Sequence, residues 1–348
     1  MEGAVTRQGV GRRAFLAGGG ALVLAGALAL SGCGSEGTSD GLPKVVFCLD
    51  RAPTPYAVGL YVAQDQGYFD ENGLEVEVMQ TDTGVSVEKA VNDGAAQFGL
   101  SSQVHLAGAF AVDEPASIIA TATITRHSTA GLVSLRQTGV SGYGGLAGHS
   151  FSACDSSTGN QLALRLVELG GGNPDAVEIR ARIGREQTVA DALVDAGVDA
   201  ACGLEGWDVP VLEAAGQRSA FARERDVASA LDGYSSVVIA NDTYLVRHPD
   251  EARAFMDALS RGYFYAAHNP ETSADILAAA VPQLDADAVR ASLSYLAPRL
   301  FDGAGEWGRI GQERWDAYFS WLHENEVIGR SIPKHHGFTN DYLEDAKK

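Results

Sequence analysis

Five short polar segments carry the residue types that bind small molecules. They combine carboxylates, hydroxyls, amides and aromatic rings, which together can hydrogen-bond to and stack on a small polar ring. The segments are 50–56, 101–103, 126–129, 155–160 and 205–208. Ligands of open α/β sheets bind beyond the carboxyl ends of the strands, and strand-like runs come before these segments. We therefore expect the five segments to converge on one cleft.

The candidate ligand-binding residues offer hydrogen bonds, charge or an aromatic face. They are Asp50, Arg51, Tyr56, Tyr61, Ser101, Ser102, Gln103, His127, Ser128, Thr158, Gly159, Asn160, Trp207, Asp208 and Tyr234. The segment 155–160 precedes a helix, where backbone N–H groups suit an anion or a polar ring substituent, although an ordinary helix cap explains 156–158 equally well.

We expect neither a catalytic residue nor a metal site nor a cofactor. His127 is next to Ser128, but a catalytic triad is defined by geometry and not by adjacency in sequence. The sequence contains no G-x-S-x-G elbow, no phosphate-binding P-loop and no H-E-x-x-H helix. The paired His335 and His336 near the end are expected on a surface loop. The candidate residues are therefore interpreted as ligand contacts.

Strands and helices alternate along the part of the chain that must position these residues. Apolar runs predict strands at 45–49, 74–78, 96–100, 150–153, 177–181 and 198–204, and helices at 59–66, 86–93, 161–169 and 188–196. This order predicts an α/β fold of mainly parallel sheets with right-handed crossovers and flanking helices. The last third is predicted to be helical, because apolar residues recur there at helical spacing.

The composition excludes one large class of function. The 348 residues are 45% hydrophobic and carry a formal net charge of −19, which is typical of a globular protein and unsuited to binding nucleic acid. The length suits two packed lobes or one large domain. A net acidic charge says little about a small ligand, because the local field of a pocket can oppose it.

The N-terminus is typical of an exported protein. Arg12 and Arg13 precede an apolar run at 17–30, and the sequence Leu-Ser-Gly-Cys at 30–33 resembles the bacterial lipobox. We expect a twin-arginine signal peptide at 1–32, lipid on Cys33 and a tether at 33–43. The alternative is a single membrane-spanning anchor, for which the apolar run is short.

Three cysteines remain if Cys33 carries lipid. Cys48, Cys154 and Cys202 have no Cys-x-x-Cys or Cys/His spacing that suits zinc. We expect them to be buried thiols rather than disulfide partners, although an extracellular location permits a disulfide.

Several motifs resemble the substrate-binding proteins of the thiamine-pyrimidine and aliphatic-sulfonate group. They are L-D at 49–50 with Pro53, G-L-Y-V-A at 59–63, G-Y-F at 67–69, G-L-E-V at 73–76 and G-A-A-Q-F-G at 94–99. The closing F-T-N-D-Y-L at 338–343 resembles the thiamine-precursor branch of that group. The motifs extend over nearly all of the chain after the tether.

The resemblance implies a two-lobed, type II periplasmic-binding fold in which each lobe is a mainly parallel sheet flanked by helices. Lobe 1 is expected at 44–134 and 239–348 and lobe 2 at 135–238, joined by two hinge strands near 134–145 and 233–239. The ligand would be clamped between the lobes and delivered to an ABC permease and its ATPase. We expect a monomer anchored by lipid on the extracytoplasmic face of the cell membrane.

The resemblance also implies roles in recognising the ligand. Trp207 would stack on a pyrimidine and Asp208 would accept its exocyclic amine, although Trp207 could equally pack between lobes. Arg51 stands where the family has Trp, and Thr54 where it has Asn. A guanidinium favours an anionic ligand because it binds oxyanions bidentately, but Arg51 could instead pair with Asp50 or face solvent.

Three functions are compatible with these features. The first is a receptor for a thiamine-type pyrimidine precursor, and the second is a receptor for an aliphatic sulfonate or a flavin-like ring. The third is an enzyme resembling eukaryotic pyrimidine synthase, which shares the fold. The synthase carries clustered cysteines and works inside the cell, whereas here the closest cysteines are 15 positions apart and an export signal comes first. We therefore expect a receptor and not an enzyme.

Overall fold

The computed structural model describes residues 41–49, 53–81, 85–181, 188–301 and 305–343. All of them belong to one compact unit, residues 41–348. The strands of this part are β1 (Lys44–Leu49), β2 (Glu75–Gln80), β3 (Phe98–Ser101), β4 (Ile118–Thr123), β5 (Ala130–Leu135), β6 (Ser150–Ser152), β7 (Glu178–Arg180), β8 (Ala200–Leu204), β9 (Ser219–Arg223) and β10 (Val237–Asn241).

The helices occur between the strands and then alone in the last third. They are α1 (Val58–Asp65), α2 (Tyr68–Glu71), α3 (Val87–Asn92), α4 (Gln103–Phe110), α5 (Ser157–Leu169), α6 (Glu205–Ala214), α7 (Glu224–Val227), α8 (Asp242–Arg247), α9 (Pro249–His268), α10 (Pro270–Ala280), α11 (Ala286–Leu296) and α12 (Gln312–Glu324). The helix expected at 188–196 is present as one short helical segment at 189–195, of which Asp191–Asp195 is a π-helical turn.

The strands form two five-stranded sheets of the same design. The first has the order β2-β1-β3-β10-β4 and the second β7-β6-β8-β5-β9. In each sheet one strand, β10 or β5, runs antiparallel to both of its neighbours, and the other four share one direction. The predicted α/β class with mainly parallel sheets is confirmed.

The chain passes between the sheets twice. It leaves the first sheet after β4 and enters the second at β5, and it returns between β9 and β10. The two linking segments are therefore 124–129 and 224–236. The lobe boundaries expected at 134/135 and 238/239 stay predictions, and sheet membership changes a few residues before each of them.

The starts of two helices differ from the sequence expectation: α5 begins four residues before the expected position 161, and α6 was not predicted. Ser156 accepts a hydrogen bond from the Gly159 N–H at 3.0 Å, and α5 consequently starts at Ser157. The carboxylate of Asp208 accepts the Leu204 N–H at 2.6 Å, so that 205–208 is the first turn of α6 rather than a loop.

The closing F-T-N motif attaches the C-terminal segment to the edge of the first sheet. Phe338 forms a parallel bridge to Ala120 of β4. The Asn340 side chain accepts the Ile310 N–H and donates to the Ile310 carbonyl, both at 3.0 Å. The Trp315 indole N–H donates to the His336 carbonyl at 2.8 Å. The motif therefore contributes to the stability of this part of the fold.

Candidate functional site

Two cavities meet where the linking segments lie, and Ser128 lines both. The tyrosine cavity, of about 210 Å³, is lined by Ser102, His105, Asp155, Glu224, Tyr234 and Tyr318 among others. The arginine cavity, of about 410 Å³, is lined by Arg126, His127, Thr129, Arg225, Tyr295 and Arg299 among others. The volume of the tyrosine cavity suits a molecule smaller than a typical drug.

Glu224 is the most unusual group in the tyrosine cavity. It begins α7 directly after β9 and is only 9% exposed. Among the described residues its carboxyl group has no hydrogen-bond or ion-pair partner, and burial raises its pKa to about 7. Burial also raises the pKa of Tyr318, which is further raised by the charge of Glu224. The cavity therefore holds a carboxyl group that changes protonation near neutral pH.

Gln103 positions the aromatic wall of the tyrosine cavity. Its buried amide donates to the Trp315 carbonyl at 3.0 Å and accepts the Tyr234 N–H at 3.0 Å. The Tyr234 hydroxyl in turn accepts the Gly311 N–H at 2.8 Å. A Cβ atom on Gly233 would lie 2.5 Å from the Gln103 amide oxygen, so the backbone must approach closely here.

A disulfide forms another wall of the tyrosine cavity and corrects the expectation of unpaired thiols. Cys154 follows β6 and Cys202 lies in β8, and these strands pair in parallel, which brings the two Cα atoms to 5.8 Å. The Asn160 side chain accepts the Cys154 N–H at 2.8 Å and holds this loop. Cys48 is buried, as expected.

A polar cluster supports the start of α4 behind the cavity. The Ser101 hydroxyl donates to the carboxylate of Glu88, and the His105 ring lies 3.6 Å from the same group. Burial alone would raise the pKa of Glu88, but His105 and Ser101 lower it to about 2. The Ser102 hydroxyl caps α4 by accepting the His105 N–H at 3.3 Å. Of Ser101, Ser102 and His105, the last two line the tyrosine cavity.

His127 and Ser128 are held by one carboxylate in the second linking segment. Asp232 lies 2.6 Å from the His127 ring, accepts the Ser128 N–H at 3.1 Å and contacts Arg225 at 3.3 Å. Burial alone would raise the pKa of Asp232, but the hydrogen bond and charge of His127 lower it. This cluster fixes the first linking segment against the second.

Other predicted residues lie away from the two cavity walls. Tyr56 is buried, and its hydroxyl group lies 2.7 Å from that of Thr129, behind the arginine cavity. Tyr61 and Trp207 are partly buried against the hydrophobic core, and the Asp208 carboxylate is occupied at the start of α6. The binding roles of Trp207 and Asp208 stay predictions.

Of the predicted set, Ser102, Ser128, Gly159 and Tyr234 line the tyrosine cavity, and His127 and Ser128 line the arginine cavity. Thr158 is 7% exposed and packs where α5 meets Gly108 of α4. Asp50, Arg51 and Cys33 lie outside the described residues.

Sequence reasoning missed the residues that give the cavities their chemistry. Glu224, Arg225 and Tyr318 lie beyond the five polar segments, and Arg126 lies inside one but was not chosen. The sequence F-A-R-E-R at 221–225 offers one signal, an acid that follows an alternating run. That signal is weak, because an ion pair on the surface would have the same pattern.

Within the described ranges, no helix is both long and apolar enough to cross a membrane. The same residues contain no group of three or more His, Cys, Asp or Glu side chains arranged to hold a metal ion.

The paired sheets define the class: the chain has the type II periplasmic-binding fold. The chain belongs to the NMT1/THI5-like family, whose model matches residues 54–273. It is similar in structure to the alkanesulfonate-binding protein SsuA from Xanthomonas axonopodis bound to MOPS, with a TM-score of 0.65 and 14% identity over 86% of this chain and 99% of the other.

Two curated relatives have names of different kinds. One is the formylaminopyrimidine-binding protein of Halalkalibacterium halodurans, which is 23% identical over 90% of this chain and 95% of its own length. The other is the 4-amino-5-hydroxymethyl-2-methylpyrimidine phosphate synthase of Legionella pneumophila, 22% identical over 87% of this chain and 93% of its own. A desulfurization enzyme, DSZB, also shares the fold, with a TM-score of 0.60 and 15% identity over 86% of this chain and 97% of the other.

Proposed function

We propose that the protein is an extracytoplasmic receptor that binds a small aminopyrimidine in the tyrosine cavity and delivers it to an ABC permease. The observation that carries this proposal is Glu224, a buried carboxyl group that faces the cavity with no partner among the described residues. An unpartnered buried carboxyl group is costly, and a ligand that hydrogen-bonds to it recovers part of that cost.

The protonation of Glu224 suits an aminopyrimidine in particular. A protonated carboxyl group presents one donor and one acceptor side by side. A ring nitrogen next to an amino group presents the complementary acceptor and donor. Because the pKa of Glu224 is about 7, this form is well populated near neutral pH. The rings of Tyr234 and Tyr318 offer aromatic surface to the same ligand.

The names of the relatives agree with a pyrimidine as the ligand class. Both the binding protein of Halalkalibacterium halodurans and the synthase of Legionella pneumophila are named for substituted pyrimidines. The lining of the tyrosine cavity has no Arg or Lys, which makes it unsuited to a sulfonate. If residues of both sheets contact the ligand, the bound ligand would favour the closed arrangement of the two sheets.

A calorimetric titration of the full chain with 4-amino-5-hydroxymethyl-2-methylpyrimidine tests the proposal. We expect one binding site per chain and an affinity at least tenfold weaker in Glu224→Leu, because the hydrocarbon side chain keeps neither the donor nor the acceptor of the protonated acid (about 1.4 kcal/mol). The matched control is Asp226→Leu on the same helix, whose side chain is 64% exposed and which should bind as the wild type does. Equal affinities in all three proteins would refute the role of Glu224.

The synthase remains the second candidate, because a relative of similar identity carries that name. Mass spectrometry separates the two functions. A receptor returns the added pyrimidine unchanged with at most one molecule per chain, whereas a synthase incubated with a metabolite extract accumulates more pyrimidine phosphate than protein.

The membrane location is also a proposal, and it depends on Cys33. In the lipobox interpretation, Cys33→Ala removes the acylation site and releases the protein from bacterial membranes into the soluble fraction. A matched change, Ser31→Ala, keeps the cysteine and should leave the protein on the membrane. Membrane retention of Cys33→Ala would contradict the lipid anchor.

A further inference from the structure

The arginine cavity opens beside the proposed pyrimidine site and has the opposite chemistry. Three of its eight lining residues are arginines, namely Arg126, Arg225 and Arg299, and none is Asp or Glu. The whole chain has a net charge of −19. A concentration of positive charge in a concave wall of an acidic protein attracts anions to that wall.

The carboxylates nearest to the arginine cavity leave much of this charge uncompensated. Asp232 accepts from Arg225 at 3.3 Å, and Glu205 is engaged by Arg223 at 2.6 Å. The guanidinium of Arg126 has no carboxylate partner among the described residues, and Arg126 is exposed. One carboxylate for three lining arginines leaves the wall positive.

Two of the three arginines, Arg225 and Arg299, are held in place before any ligand arrives, Arg225 by its contact with Asp232. The Arg299 guanidinium lies 3.8 Å from the centroid of the Tyr295 ring and donates to the Tyr295 carbonyl at 2.6 Å. The backbone N–H of Arg126 donates to the Arg299 carbonyl at 2.9 Å, which ties the first linking segment to the turn Ala297–Arg299. A planar guanidinium with a fixed orientation suits the oxygens of a carboxylate, phosphate or sulfonate.

The two cavities are close enough for one ligand to contact both. Ser128 lines each of them. Arg314 connects their walls, since its guanidinium donates to the Arg126 carbonyl and lies 5.1 Å from the centroid of the Tyr234 ring. Tyr234 lines the tyrosine cavity, whose lining contains no Arg or Lys that could bind an anion. A ligand that carries both a ring and an anionic group would therefore place the ring in the tyrosine cavity and the anionic group in the arginine cavity.

We propose that the arginine cavity is an oxyanion subsite, which holds a carboxylate, phosphate or sulfonate group carried by the ligand whose ring occupies the tyrosine cavity. The identity of the ring rests on the proposed function, whereas the subsite rests on the arginines alone. The natural ligand would then be an aminopyrimidine with an anionic arm rather than a neutral pyrimidine.

The test compares a neutral pyrimidine with its anionic ester. The full chain is titrated with 4-amino-5-hydroxymethyl-2-methylpyrimidine and with its phosphate. We expect the ester to bind at least about tenfold more tightly, and Arg126→Gln to remove that gain without changing the affinity for the alcohol. The control is Arg290→Gln, which makes the same change of charge at an exposed residue paired with Asp275 and Asp287. It should preserve the gain.

The outcomes separate the subsite from the proposed function. If the alcohol binds and the ester gains nothing, or the gain survives both Arg126→Gln and Arg225→Gln, the subsite is refuted and the pyrimidine receptor stands. If neither pyrimidine binds but inorganic phosphate or ethanesulfonate binds in a manner that requires Arg126, the subsite stands and the pyrimidine is wrong. Failure of every probe to bind refutes both.

Discussion

Replacing Glu224 with Gln should make the protein more stable at alkaline pH, although it removes a charged side chain. The pKa of Glu224 is raised from 4.5 to about 7 by burial, and the side chain is only 9% exposed. Between these two values the folded protein keeps a proton that the unfolded chain has lost. The free energy of unfolding therefore falls as the pH rises through this window.

The size of the effect follows from the difference between the two pKa values. A shift of one unit corresponds to 1.36 kcal/mol, so the wild type should lose about 3 kcal/mol of stability between pH 4.5 and pH 7 relative to a variant that cannot ionise. Glu224→Gln mimics the protonated form. The pH-dependent difference in the free energy of unfolding between the two proteins should be near zero below pH 4.5 and reach its full size above pH 7.

Urea unfolding followed by tryptophan fluorescence measures this gap at pH 5 and pH 8. Tyr143 and Tyr318 interact with Glu224, but burial raises the pKa of both well above 10, so both stay neutral at pH 5 and at pH 8. Asp226→Asn serves as the control and should show no such widening, because its side chain is 64% exposed. A gap between wild type and Glu224→Gln that stays constant from pH 5 to pH 8 would contradict the burial of an ionisable carboxyl group here.

Three further predictions concern the stability of the fold. Reduction of the disulfide between Cys154 and Cys202, which are 48 positions apart, should lower the free energy of unfolding by about 4 kcal/mol as measured by urea denaturation. Asn340→Ala should cost about 2 kcal/mol in the same assay, because the buried backbone groups of Ile310 lose both partners. Gly262→Ala should lower the thermal midpoint markedly, because its new Cβ would lie 2.0 Å from a carbonyl oxygen of α1.

Each of these three predictions has its own control. A reductant should have no further effect on a Cys154→Ser protein, and a drop of equal size there would show that the disulfide is not its cause. Asn173→Ala loses a hydrogen bond at an exposed turn and should cost less than Asn340→Ala. Gly145→Ala adds a Cβ into open space and should leave the thermal midpoint unchanged. Equal losses in Gly145→Ala and Gly262→Ala would exclude the steric explanation.

The sequence predicts most elements because hydrophobic periodicity is a local signal. The runs at 45–49, 59–66 and 198–204 each become the expected strand or helix within two residues. The cap at Ser156 was one of two interpretations of 156–158, and helix α6 was not predicted, because both helix starts depend on a side chain that folds back onto the backbone. Such caps are visible in sequence only as residue types that also occur in loops.

The candidate site is harder to predict, because its chemistry depends on burial. Glu224 has a raised pKa only because the rest of the fold surrounds it, and its sequence neighbours Arg223 and Arg225 suggest a surface ion pair instead. The disulfide is missed for a similar reason. Cys154 and Cys202 meet because β6 and β8 are adjacent in the second sheet, and strand order cannot be derived from periodicity.

The site also shows why strand ends alone are an incomplete guide in a fold with two sheets. Arg126 and Ser128 lie in the first linking segment, and Glu224, Arg225 and Tyr234 lie in the second. A ligand that contacts both segments binds the part of the chain whose conformation must change if the sheets move relative to each other. Such a ligand would favour the arrangement of the sheets that it binds more tightly, and the size of the effect would be the difference between its binding free energies for the two arrangements. The proposed oxyanion subsite therefore offers a direct means by which the anionic arm, and not only the ring, would favour closure.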